Sequence, residues 1–316
     1  MMRHPIEARL VACVILLVLF VAGCGGTPTD QPNSGVNGNA DPDLSSLSRT
    51  AEVDPETAIV TLPEDAVTRG EQVDSSTLSA ARDARVAQCA RDELDIPWVA
   101  ERPDPYIPAM HMWNWFGPWT KPVAEKFAFV EPMGDGALIV NGIVEPPADY
   151  EPIPWVNENI AEADRDNVFE TCNSTEAVME FDETRLWTIG PGQEALNEEQ
   201  EAVIRDPEMQ ALSDELAVCF EENGMEMHRD FPGFPLNADF NNINEEQIAL
   251  ALKTVECKDQ TNFTQRAADI IAERQVPMIE EYAEELFAAR EEWDDTVAEA
   301  EEYIASHPEL FELPTN

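Results

Sequence analysis

Apolar positions recur at steps of three and four residues ahead of four cysteines. Leu212, Leu216 and Cys219 share one helical face, as do Leu250, Thr254 and Cys257. Val86 with Cys89 and Val168 with Cys172 repeat the spacing more loosely. Helix ends are marked too. Asp206 caps a helix whose first turn holds Pro207, and Gly224 stops it after Asn223. Asn244, with Gln247 three residues on, forms a capping box for the helix that reaches Cys257. Ser75 or Ser76 caps a helix through about Leu94, and Asn157 or Asn159 opens the one that reaches Cys172.

Strand patterns are few. Ala58 to Leu62 reads as a short strand or extended lead-in before Pro63. Lys126–Glu131 and Ala137–Asn141, joined by Met133-Gly134-Asp135-Gly136, read as a β-hairpin. From Phe263 onward one apolar stripe runs through Ile271, Met278, Tyr282, Leu286, Ala289, Trp293, Val297, Ala300 and Ile304. Pro277 should kink or divide that helix. Its outer face is dense in Glu and Asp, with like charges at i,i+4, so packing must hold it. The expected fold is mostly α with a minor β-hairpin, built as two disulfide-linked helix-loop-helix units plus a long C-terminal helix. The expected divisions are 1–23, 24–50, 51–192, 193–262 and 263–316.

The N-terminus changes the setting. Arg3 and Arg9 precede an apolar run from Leu10 to Val21, too short for a permanent membrane helix. It ends in Val21-Ala22-Gly23-Cys24, a lipobox-like string in which small residues precede a thiol that takes lipid. A second such string ends at Cys13 but has few apolar residues before it. The Gly/Pro/Asn/Ser-rich stretch after Cys24 reads as a disordered tether, with a reach of roughly 25–30 Å. The expected location is the extracytoplasmic face of a cell membrane, held by acyl chains.

Four cysteines then remain for an oxidising compartment. Of three possible connectivities, Cys89–Cys172 and Cys219–Cys257 each close one helix-loop-helix unit. A zinc site is disfavoured because no two of the four stand in Cys-x-x-Cys spacing. Charge excludes other partners. The chain carries 19 Lys and Arg against 64 Asp and Glu, a formal net charge of -45. Such a surface repels nucleic acid and anionic lipid headgroups and suits cations or basic proteins.

Several segments resemble an uncharacterised family of actinobacterial secreted lipoproteins. They are Thr61-Leu62-Pro63-Glu64-Asp65-Ala66, Val86-x-x-Cys89, Ala217-Val218-Cys219-Phe220-x-x-Asn223-Gly224, and Ala249-Leu250-Ala251-Leu252 through Cys257-Lys258-Asp259-Gln260-Thr261-Asn262. Gln275, Ile279-Glu280 and the acidic helix continue the likeness, which spans roughly residues 57 to 306. Phe220 and Ala90 depart from it, since methionine usually follows each cysteine. The resemblance implies an extracytoplasmic lipoprotein and supplies no catalytic residues.

Candidate chemistry is sparse. No Ser/His/Asp or Cys/His arrangement, Gly-x-Ser-x-Gly, His-Glu-x-x-His or P-loop stands in the sequence. Carboxylates are so abundant that pairs of them carry no information. Tyr106, Trp113, Trp115 and Trp119 form an aromatic-dense stretch, readable as core or as a stacking platform for glycan. Met110, His111 and Met112, with Met225, Met227 and His228, place thioethers beside imidazoles in a pattern that suits copper, or pack against aromatic neighbours. Asn237-x-Asp239-x-Asn241 begins like a calcium loop, but Asn242 replaces the turn glycine and Ile248 the bidentate Glu. The favoured expectation is a non-enzymatic, cofactor-free binding or interaction protein of the cell envelope. Its partner would be an envelope protein or the cell wall. A copper-binding protein and a glycan-handling hydrolase are the alternatives.

Overall fold

Among the described residues the helices arrange themselves around two main apolar cores, each holding one disulfide, with three smaller clusters beside them. The computed structural model describes residue 44 and residues 47–67, 72–103, 113–148, 150, 155–186, 190–229 and 231–314. Residues 41–316 form one compact unit.

A two-stranded antiparallel sheet opens it: β1 (Glu52–Asp54) pairs with β2 (Ile59–Thr61), in the register Glu52 to Thr61. The turn is built by Asp54, whose carboxylate accepts from the Glu56 N–H and the Thr57 hydroxyl. A 3-10 turn follows at Pro63–Ala66. α1 (Gln72–Leu94) starts earlier than its serines suggest, so Ser75 and Ser76 lie inside it and Asp74 supplies the acid of the first turn. Two short helices come next, α2 (Trp113–Phe116) and α3 (Lys121–Phe127).

The hairpin expected at 126–141 does not form. Its first arm ends α3 and its second lies in α4 (Asp135–Val140). Ala124, Phe127 and Ala128 are buried at helical spacing, and Phe127, Val130 and Leu138 share a small core. A short apolar run fits both periods, and here helix-period burial wins. The Gly134-Asp135-Gly136 string starts α4 instead of turning a hairpin, with Asp135 in its first turn 3.2 Å from Lys126.

α5 (Glu162–Cys172) begins at Ala161, later than Asn157 or Asn159. Asn157 is buried and works elsewhere: its amide accepts from the Val99 N–H at 2.9 Å and donates to the Val99 carbonyl at 2.8 Å. Two four-residue helices, α6 (Glu176–Met179) and α7 (Glu183–Leu186), lead to α8 (Pro191–Val203). α9 (Pro207–Glu222) is capped by Asp206, which accepts from the Glu208 N–H, and Gly224 ends it at φ +74°. α10 (Glu245–Thr261) uses half of its expected box. Asn244 accepts from the Gln247 N–H, but the Gln247 side chain bonds Asp239 and Asn237.

The C-terminal stripe is divided, as expected, though not at Pro277. That proline lies inside α11 (Phe263–Glu281), and the break falls at Tyr282, before α12 (Ala283–Ser306). The start of α8 seats itself in the break. Glu285 accepts from the Gly192 N–H at 3.0 Å, and a Cβ on Gly192 would stand 2.8 Å from that of Tyr282. Ile279 and Leu286 meet Leu196 of α8 at the break, and beyond it each half serves a different main core. α11 packs on α8 and α9, and α12 lies along α1.

The first core joins α1, α5, α6, α12 and the closing 3-10 turn Pro308–Phe311. Cys89–Cys172 lies within it, with Cα atoms 5.8 Å apart. The second core joins the sheet, α9, α11, Phe116 and Trp119, with Cys219–Cys257 inside it, Cα atoms 5.6 Å apart. Both bridges follow the expected pairing. No described helix is long and apolar enough to cross a membrane.

Candidate binding surfaces

The aromatic stretch is set by a buried lysine. Lys258, on α10, is 2% exposed and donates through Nζ to the carbonyls of Phe116 and Pro118, the latter at 2.9 Å. Its Nζ also lies 5.8 Å from the Phe234 ring centroid. Burial pushes Lys258 well below the ordinary lysine pKa. From the other side the α9–α10 loop presses in. Gly117, at φ +52°, has no room for a Cβ, which would stand 2.6 Å from the Phe234 ring; one on Gly233 would stand 2.4 Å from the Trp115 carbonyl oxygen. Backbone therefore meets ring and backbone directly.

That clamp decides where the tryptophans go. Trp113 and Trp119 are buried, and Trp115 is half-buried against the second core. Trp113 stands edge-on to Phe234, with centroids 6.3 Å apart. These three rings seal the interior, so they do not form the open stacking platform that the sequence allows. Tyr106 lies outside the described residues.

The methionine–histidine reading is only half covered, because Met110, His111 and Met112 also lie outside the described residues. In the other loop Met225 is buried in the second core and Met227 packs against it. The His228 N–H donates to the Phe234 carbonyl, and its Nδ1 accepts from the Phe231 N–H at 3.2 Å. Its ring packs 4.9 Å from that of Phe231. Both thioethers thus serve packing. Among the described residues no three His, Cys, Asp or Glu side chains are grouped to hold a metal ion. In the calcium-like string, Asp239 accepts from the Asn241 N–H and the Asn242 amide, and these bonds hold its carboxyl below the usual range.

Sequence reasoning missed two aromatic clusters. In the second unit, the half-exposed Phe231 and Phe240 lean on buried Phe234, with centroids 6.2 and 5.3 Å away. In the first, Trp155 and Phe169 lean on buried Trp98 in the same manner. In the sequence Lys258 is one polar residue within the Cys257–Asn262 string. The one signal that could have found it is its place beside Cys257, on the inward face of α10.

One carboxylate pair also stands out. Burial and the nearby Glu101 charge raise Asp83 on α1 above the ordinary aspartate value, against the opposing pull of Arg82. The four described cysteines are bridged and offer no nucleophile. No protein-family model, curated protein or solved structure matches this chain.

Proposed function

We propose that this protein is a lipid-anchored, extracytoplasmic interaction protein of the cell envelope, acting by binding and not by catalysis. One observation carries the reading. The four cysteines beyond Cys24 are consumed in two disulfides, which suits an oxidising compartment and leaves the lipobox cysteine alone for lipid. The short apolar run before Cys24 supports export, and the likeness to secreted lipoproteins points the same way. The acidic exterior favours a basic partner over nucleic acid or an anionic membrane.

Cell fractionation with labelled palmitate tests this. The wild-type chain should take up label and follow the membrane fraction, and Cys24→Ala should lose both. An unlabelled wild-type chain, or a Cys24→Ala chain that still carries label, would contradict the proposal.

A further inference from the structure

The loop closed by the first disulfide carries a preformed aromatic patch. Trp98, 6% exposed, is its floor. Trp155 and Phe169, 39% and 56% exposed, stand edge-on to it, with interplanar angles of 77° and 86°. Val156, also exposed, extends the patch. Arg165 braces it from the side. Its guanidinium lies 5.7 Å from the Trp155 ring centroid and donates to the Glu158 and Ile160 carbonyls. The rings come from three separate segments and are held in place before anything binds. Little rotamer freedom is then left to lose on association. Rigid aromatics of this kind anchor protein interfaces.

The rim decides what docks. Asp166 and Glu162 are exposed on α5, three and seven residues before Phe169, and Glu158 is exposed below Trp155. Of the nearby cations, Arg82, Arg85 and Arg91 bond groups within the fold, and Arg165 is taken up by the Trp155 ring and the Glu158 and Ile160 carbonyls. A second copy would bring the same acids against this rim, and an anionic membrane would be repelled. A positively charged protein segment meets neither objection. Resting on the reading of the chain as an interaction protein, we propose that the Trp155–Phe169 patch docks a cationic, apolar-centred segment of a partner protein.

Purified full chain in detergent tests this with designed peptides. The probe is a helical peptide with Leu on one face and Lys on the other. One control replaces Leu by Ala, and another replaces Lys by Glu. The Leu/Lys peptide should bind and shift tryptophan emission. Trp155→Ala with Phe169→Ala should weaken binding at least tenfold, and so should 500 mM salt. Phe169→Ala alone alters only an exposed ring, so its severalfold loss stays readable if the double variant misfolds. Equal binding by wild type and Phe169→Ala would overturn the proposal, leaving attraction by net charge alone. Equal binding of the Leu/Glu peptide would overturn it as well, as would patch-dependent binding to zwitterionic vesicles. The assay is independent of Cys24. A chain that is lipidated but ignores the peptide sinks only the docking surface, whereas one that binds it but takes no lipid sinks only the anchor.

Discussion

The two cysteine units share a plan but are held by different forces. In the second, α9 buries Met209, Leu212, Leu216 and Phe220 against α11, which offers Phe263, Ala267 and Ile271. Burial of each of the larger side chains contributes on the order of 1.5–3 kcal/mol. In the first, α1 presents Ala80, Ala81, Ala84, Ala87 and Ala90 to its neighbours. Alanine lets helices approach closely but withdraws little apolar area from water. α5 buries only Val168 and Cys172. Directional bonds make up the difference. Arg82 pairs with Asp182 and Asn173, Arg85 pairs with Glu180 and lies 3.9 Å from the Tyr303 ring centroid, and Arg91 donates to the carbonyls of Trp98, Glu309, Leu310 and Glu312. Both units carry a bridge. In the second, large side chains on α9 and α11 meet directly, whereas in the first the alanine face of α1 is supplemented by arginine bonds and by the larger rings of Trp98, Phe181, Trp293 and Tyr303.

The bridges give the largest test of this contrast. Loop-closure entropy assigns about 4.6 kcal/mol to a bridge spanning 83 residues and about 3.9 to one spanning 38. Packing should widen that narrow gap. Cys89→Ala with Cys172→Ala should free α5, seen as loss of its amide-exchange protection. Cys219→Ala with Cys257→Ala should lower the melting temperature while α9 and α10 stay protected. Equal loss of protection in the two variants would break the comparison.

Arg91→Met comes next. It removes the donor to the Trp98 carbonyl and three bonds to the 309–312 turn, at a cost of about 1–3 kcal/mol. Protease should then clip the chain near residues 308–312 while the second unit stays intact.

Asp206→Ala probes the packed unit. It removes a cap and the Arg274 ion pair, and should cost about 1–2 kcal/mol. Burial pushes the Asp206 carboxyl up, but the Glu208 and Met209 N–H groups and Arg274 outweigh it and hold it below the usual value. A lowered folded pKa means the stabilisation is present above the unfolded value and fades as pH falls through the folded one. Denaturant titrations should therefore show the gap between Asp206→Ala and wild type closing below about pH 4.

The smallest effect has the opposite sign. Asp83 is raised, so its charged form opposes folding at neutral pH. Asp83→Asn should raise the melting temperature by about 1–2 °C at pH 7. The gain should vanish once pH falls below the unfolded aspartate value, where both states are protonated.

What could be read from the sequence was local. Asp206 and Pro207, Gly224, Asn244 and the cysteine spacings each carry their signal within one or two turns of chain. At 126–141, alternating apolar residues fit strand and buried helix equally, and only the shared core of Phe127, Val130 and Leu138 decides between them. The break at Tyr282 depends on two glycines ninety residues away, and the Lys258 clamp on carbonyls far upstream. The rings at 98, 155 and 169 form one patch only after folding. The tryptophan stretch is conspicuous in the sequence, yet its described rings are mostly interior, while the more exposed rings stand singly along the chain.

The most direct test of the whole account is a non-reducing peptide map, by mass spectrometry, of the protein extracted from membranes. It should show Cys89 joined to Cys172, Cys219 joined to Cys257, and an N-terminal peptide beginning at acylated Cys24. A Cys24 of unmodified mass, or any peptide crossing between the two pairs, would contradict it.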